Sequence, residues 1–264
     1  MLQKFWMTTF ASTVNAVTDK ERFASLLALP PDSFHMSAGV GTLSEKYLHA
    51  LLKHFFEPDS DYHEVAIGTY TADICRDNKI IEIQTRAFNR LRDKLEYYLL
   101  EGYDVTVVLP LPRVKYLIWI DNQTGDVTNR RRSPKKGRFV DAIFELYKIK
   151  YFLDWKNLHI KLLLCDLEEY RNLDGYGKNR KYRSTRLERV PLELADTLSL
   201  DSVDDYRAFI PDTLPQFFTI SDFAKASNID YGHASTTLNI LTYLSLVQKV
   251  GKDGKKNLYQ VTPK

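Results

Sequence analysis

Two carboxylates, Asp73 and Glu82, stand in neighbouring runs that read as one β-hairpin, Tyr70 to Arg76 and Lys79 to Thr85. Asp77-Asn78 between them has the composition of a two-residue hairpin turn. That turn sets Arg76 against Lys79, Asp73 directly opposite Glu82, and Thr71 opposite Gln84. Alternation puts Ala72, Ile74, Ile81 and Ile83 on one apolar face and Asp73, Glu82 and Gln84 on the other. Like charges facing each other repel by roughly 0.2–1 kcal/mol on an open sheet, and by more where water is excluded. Two responses are open. One carboxyl can keep a proton, its pKa raised by its neighbour. Alternatively a divalent cation can sit between them, completed by a nearby carbonyl and waters, the usual way of holding magnesium. The plain alternative is two solvated side chains on an exposed face, against which Cys75 and Ile80 on that same face argue.

A third carboxylate, Glu45, precedes Leu48 by three residues and Leu52 by seven, near the apolar stripe of a helix bearing Leu48, Leu51, Leu52 and Phe55. It also completes a capping box with Thr42 that would start this helix, and the two roles are compatible. Glutamate on a first helix, aspartate on a strand and E-x-K on the next strand is the pattern of the PD-(D/E)XK nucleases. Glu45, Asp73 in TADI and Glu82-Ile83-Gln84 in IIEIQT resemble it over about Thr42 to Leu111, extending towards Cys165. The next helix, with Arg86, Arg90, Arg92 and Lys94, fits the family's order of elements. The resemblance implies a restriction-endonuclease-like core that hydrolyses phosphodiester bonds. It implies magnesium, with manganese as a substitute, held by Asp73, Glu82 and the Ile83 carbonyl, while Glu45 holds a second metal or a water. One position departs, since the family's lysine is Gln84 here. Glutamine, which some members carry there, cannot take a proton but can hydrogen-bond and aim a water, so that making hydroxide falls more heavily on the metal. The departure leaves an alternative, a non-catalytic DNA-binding or regulatory protein with a degenerate nuclease domain.

The elements that must position these groups are legible as patterns. Asp19 to Leu29 reads as a helix stopped by Pro30-Pro31. A strand at about Tyr62 to Ile67 precedes the hairpin. A helix with Phe88, Leu91, Leu95, Tyr98 and Leu99 on one face follows it and stops at Gly102. Then come β-rich runs at 105–111 and 114–121, a helical stretch from Phe139 to Leu153, and a buried strand from His159 to Cys165. Alternating strands and helices predict an α/β fold, a mixed sheet flanked by helices. After Pro191 the pattern changes to helices at 201–210, Ser221–Ser227 and Tyr231–Leu244, followed by a basic hairpin. That is the order of a small winged-helix domain. The expected division is 1–192 for the nuclease-like part and 196–264 for the winged helix.

Charge points to a polyanion. The formal net charge of +3 says little, but its distribution is uneven. The stretch from Asn129 to Arg138 holds six basic residues and no acid, and the stretch from Lys178 to Arg189 six with Glu188 alone against them. Five lysines follow from Lys249 onward, against Asp253. Three such runs favour DNA over solvated loops. The expected contacts are Arg130, Arg131, Arg132, Lys135 and Lys136 in the first run, and Lys178, Arg180, Lys181 and Arg183 in a flexible loop from Asn172. In the winged helix they are Thr236 and Asn239 on the third helix, and Lys252, Lys255 and Lys256 on the wing. Cutting both strands would favour a homodimer. The two cysteines, Cys75 and Cys165, lack partners at zinc spacing and fit a cytoplasmic protein. No run approaches the roughly 20 apolar residues of a membrane span, so no membrane is expected.

Overall fold

The structure is a computed structural model that describes residues 18–30, 33–34, 47–121, 124–174 and 184–263. The chain is α/β. One mixed, seven-stranded sheet is flanked by helices, and two further helices and a two-stranded hairpin close the C-terminal end.

The hairpin forms as its turn chemistry requires. Strands β2 (Tyr70–Arg76) and β3 (Lys79–Ile83) pair with Arg76 against Lys79, and Asp77 takes a left-handed φ of 53°. Strand β1 (His63–Ile67) joins the other edge of β2. Gly68 makes that turn at φ 59°, where a Cβ would strike the Tyr97 hydroxyl. The sheet then becomes parallel. β3 pairs with β4 (Asp104–Ile120), β4 with β6 (Leu158–Asn172), and antiparallel β7 (Thr185–Leu200) closes the far edge. A short β5 (Arg131–Arg132) pairs with β4 off this path.

Helices cover both faces. On one, α1 (Asp19–Leu27) and α2 (Tyr47–Phe56) bury Phe23, Leu51, Leu52 and Phe55 against Ile74, Ile83, Val108 and Leu163. On the other, α3 (Arg92–Leu100) and α4 (Ile143–Lys148) pack Leu95, Tyr98, Ile143 and Leu146 on Ile80, Val105, Val107 and Leu162. A 3₁₀ turn, Phe88–Leu91, leads into α3 from Ala87, whose φ is 62°. Both faces being filled explains why β4 and β6 read as near-continuous apolar runs.

Several expectations change. The runs at 105–111 and 114–121 are a single strand, β4, that passes through Pro110 and Pro112. The main chain of Val108 faces β3, where its carbonyl accepts from Gln84 N–H at 2.9 Å. Positions 110 and 112 face the same way beyond the end of β3, so their missing N–H groups forfeit no ladder bond. The run 172–189, expected as a loop, is strand from Thr185 onward. The expected boundary between 192 and 196 therefore falls inside β7. The stretch 201–210 is a 3₁₀ helix, Val203–Phe209, rather than an α-helix, and Phe139 to Leu153 is α-helical only at its centre. The Thr42–Glu45 capping box lies outside the described residues.

The C-terminal elements come in the expected order, α5 (Ile220–Ser227), α6 (Tyr231–Tyr243) and the hairpin β8 (Val247–Asp253) and β9 (Lys256–Val261). Phe218 bridges to Tyr259 and so adds a third extended segment to the hairpin. This unit does not stand apart. Phe223, Leu238, Ile240 and Leu241 belong to one apolar cluster with Leu146, Ile149 and the sheet. Arg138 donates to the Ser227 and Asn228 carbonyls at 3.2 and 2.8 Å, and the Phe144 and His233 rings meet at 4.5 Å. Among the described residues no helix is long and apolar enough to cross a membrane.

Candidate active site

Asp73 sits at an irregularity in β2. On one side the β1 register is unshifted from His63↔Ile74 to Val65↔Ala72, but Glu64, which falls opposite Asp73, is left out of the ladder with φ 51°, and Ala72 packs with Ile80 while Ile74 packs with Ile83, so the expected single apolar face of Ala72, Ile74, Ile81 and Ile83 is broken at Asp73. On the other, the β2–β3 ladder stops at Ile74↔Ile81. The next N–H of β3, that of Ile83, donates at 2.7 Å to the Asp73 carboxylate instead of to a strand carbonyl. Such a break in the ladder re-aims side chains, as bulges do beside functional sites. Helix α2 secures the arrangement from above. His49 Nε2 lies 3.2 Å from Asp73 Oδ2, and Lys53, one turn later, donates to Glu64 at 2.7 Å. The spacing of four residues puts both side chains on one helix face.

Glu82 lies across from Asp73 and is only 3% exposed. Lys94 Nζ, from α3, donates to its Oε2 at 2.7 Å, while Oε1 is buried without a hydrogen-bond partner of normal geometry. Burial pushes the Glu82 carboxyl up to about 7, and the Asp73 charge adds to the rise. The Lys94 ammonium and the Asp73 main-chain N–H act in the opposite sense without cancelling it. For Asp73, burial also acts upward, but His49, the Ile83 N–H and Lys94 outweigh it and hold the carboxyl below its ordinary value. One carboxylate is thus kept charged and its neighbour is poised to be neutral, the split that adjacent acids adopt in catalytic sites. The Tyr98 hydroxyl is buried nearby without a partner, and Lys94 lies 5.8 Å from the centre of its ring.

The structure brings together Asp73, Glu82 and the main chain of Ile83, with half-buried Gln84 following at the end of β3. Glu45 is outside the described residues. Among the described residues no group of three or more His, Cys, Asp or Glu side chains is arranged to hold a metal. Magnesium needs fewer, since it is commonly bound through one or two carboxylates and keeps several waters. The orphaned Glu82 oxygen beside Asp73 fits that requirement. Sequence reasoning missed His49 as a site residue and gave Lys94 no role beyond its helix. Helical phase from Leu48 and Leu91 could have put both on inward faces, but which carboxylate each meets depends on packing.

The expected DNA contacts are dispersed. Arg130 donates to Glu168 at 2.6 Å and stacks on Tyr116, Arg131 and Arg132 are exposed in β5, and Lys135 pairs with Asp141 beside exposed Lys136. Lys178, Arg180, Lys181 and Arg183 lie outside the described residues. Lys252, Lys255 and Lys256 are exposed on the wing, whose tip is Gly254-Lys255. On α6 the Asn239 side chain accepts from Lys150 at 3.0 Å, and Thr236 bonds back to the Gly232 carbonyl. The side of α6 bearing His233, Asn239 and Tyr243 is turned to the residues around α4.

This chain belongs to the family described as Domain of unknown function (DUF8091), which matches residues 46–201, from α2 to the end of β7. An uncharacterized protein of Treponema pallidum (strain Nichols) is 27% identical over 225 residues, covering 85% of this chain and 88% of that protein. No solved structure matches the chain.

Proposed function

We propose that this family member is a magnesium-dependent DNA endonuclease whose metal carboxylates are Asp73 and Glu82. The observation that carries the reading is Glu82, a buried acid with one unpartnered oxygen, a pKa of about 7, and a charged aspartate beside it. Lys94 meets only one oxygen of this carboxylate, and the other is left for a second cation. Asp73, Glu82 and the Ile83 carbonyl would hold magnesium, and the same oxygen set suits manganese. When bound, the ion would supply charge stabilisation at the phosphate and an acidified water.

The chain's own groups have separate work. His49 and the Ile83 N–H keep Asp73 ionised and fixed in direction. Lys94 is the cation available for what a lysine at position 84 would do, stabilising negative charge that develops on the phosphate. Gln84 can both donate to and accept from a water and so orient it, while taking no proton. The order helix, three antiparallel strands, helix, parallel strand supports the PD-(D/E)XK resemblance. The helix pair with its basic hairpin supports a winged-helix module that adds phosphate contacts.

A second reading, a protein that binds DNA without cutting it, is favoured by the closed pairs Lys94–Glu82 and His49–Asp73. Nicking of supercoiled plasmid in magnesium separates the two. The nuclease reading expects nicks that disappear in Asp73→Asn and in Glu82→Gln, together with magnesium-induced thermal stabilisation that both variants lose. Intact plasmid in magnesium and in manganese would reject it.

A further inference from the structure

Glu169 on β6 is 2% exposed, and cations crowd it. Arg171 Nη1 donates to its Oε1 at 2.6 Å, Arg189 Nε to its Oε2 at 3.2 Å, and Lys115 Nζ stands 3.5 Å from that same Oε2. Arg171 is fixed further by two hydrogen bonds of 2.9 Å to the hydroxyl and carbonyl of Ser184. A fourth cation, Arg186, joins because the β6–β7 register shifts. Tyr170 faces Glu188 and Arg171 faces Arg186, so Leu187 is the extra residue of a bulge. In a regular strand Arg186 and Arg189 would point to opposite faces. The bulge turns Arg186 to the face of Glu169, Arg171 and Arg189.

Arg186 is half-buried, yet it makes no hydrogen bond or ion pair among the described residues. Burial holds its pKa down at about 10, with the Arg189, Arg86 and Arg171 charges lowering it further and Glu169 alone opposing them. Burial likewise lowers Lys115. Four cations thus share one carboxylate, and that carboxylate's hydrogen bonds are taken by Arg171 and Arg189. Such a group is poorly balanced on its own and well matched to a doubly acceptor-rich anion, since guanidinium forks grip phosphate oxygens in pairs. The cluster is rigid, sitting on strands rather than on a loop. Lys115 comes eight positions after Val107, the residue opposite Glu82, so the cluster lies on the order of 25 Å along the sheet from the carboxylates. Arg86, four residues past Glu82, lies between the two in sequence order and is close enough for its charge to bear on Arg186.

We propose that Lys115, Arg171, Arg186 and Arg189 form a phosphate-binding platform that holds the nucleic-acid backbone away from the scissile bond. The identity of its ligand rests on the nuclease reading. The test uses the full chain, a fluorescein-labelled 30-base-pair duplex and anisotropy in EDTA, where binding is read without cleavage. Arg186→Gln should weaken binding about three- to tenfold near 0.1 M salt and reduce the salt slope by about one, while Arg186→Lys retains most of the slope. The thermal midpoint of Arg186→Gln should hold or rise, because a like charge leaves a half-buried cluster. Unchanged affinity and slope in Arg186→Gln would overturn the platform. A lowered midpoint accompanying weaker binding would also overturn it, by making Arg186 a structural residue. Displacement of the duplex from wild type, but not from Arg186→Gln, by low-millimolar inorganic phosphate would assign the site to a free phosphate and reject the backbone. The two readings fail separately. Weak binding by Arg186→Gln beside nicking indifferent to Asp73→Asn would remove the nuclease and leave the platform. Normal binding by Arg186→Gln beside nicking lost in Asp73→Asn would do the reverse.

Discussion

At Glu82 the protein holds an acid whose pKa is about 7, against 4.5 for a free glutamate. A raised carboxyl pKa stabilises the fold only while the proton is on. The contribution is whole below about pH 4.5 and is lost as pH climbs through about 7. At 1.36 kcal/mol per unit this amounts to something on the order of 3 kcal/mol. Asp73 works in the other direction, but its lowered pKa makes its contribution complete by about pH 5, so it does not mask the loss. Metal-free wild type should therefore lose thermal stability between about pH 5 and pH 8, and Glu82→Gln should be flat over that window. Parallel profiles would mean that Glu82 ionises as an ordinary surface acid. Lys94 is testable at the same scale. Lys94→Gln should lower nicking roughly 100-fold at saturating metal, with Lys94→Arg recovering part of the loss. Full activity in Lys94→Gln would confine the lysine to balancing Glu82.

Among the elements, the β1–β2 irregularity is held by a strained residue and a buried cation. Glu64 adopts φ 51°, which costs a non-glycine residue about 1–2 kcal/mol, and Lys53, 5% exposed, has its ammonium on the Glu64 carboxylate. Glu64→Gly relieves the strain but takes from a buried ammonium the carboxylate it donates to at 2.7 Å, and with Lys53 withdrawn from water that loss is the larger of the two. The single variant should be less stable than wild type, and Lys53→Met combined with Glu64→Gly should restore most of the difference. Additive effects in denaturant titrations would show the pair to be uncoupled. The wing behaves differently, because Lys252, Lys255 and Lys256 are exposed point charges around a turn. Changing all three to alanine should weaken binding to every duplex alike and flatten its salt dependence, leaving turnover at saturating DNA intact. Equal affinity and slope would make the C-terminal unit a protein-docking module.

Over the whole molecule, one apolar cluster runs from Ile80 and Val107 in the sheet through Leu146 and Ile149 to Leu238 and Leu241 in α6. Elements that share a core unfold together. A fragment beginning near 196 would cut β7 and bare the side of α6 that now meets Phe144 and Tyr151. The full chain is expected to melt in a single cooperative transition followed by circular dichroism, and the fragment 196–264 to be much less stable than the whole. Two separated transitions in the full chain would restore the view of an independent domain.

The hairpin, its turn and its register follow from the sequence alone, because a two-residue turn is local and leaves one register, but the alternation of faces it predicts fails at Asp73, where Ala72 and Ile74 pack in different clusters. The order α2, β1, β2, β3, α3 follows for the same reason, as do the exposed wing lysines. What the sequence left open depends on partners distant along the chain. The pairing of His49 with Asp73 joins residues 24 positions apart, and that of Lys94 with Glu82 joins α3 to β3. No local rule says which of several inward polar residues meets a given carboxylate. The same limit hid β7, since Thr185 to Arg189 reads as basic loop until β6 supplies the ladder that makes it a strand. Arg186 shows the point most sharply. Its type is visible in the sequence, but its direction is set by a bulge, its depressed pKa by burial, and its imbalance by three cations brought from β4, β6 and β7. Only tertiary packing excludes water there, and only where water is excluded does a charge become something the fold must answer.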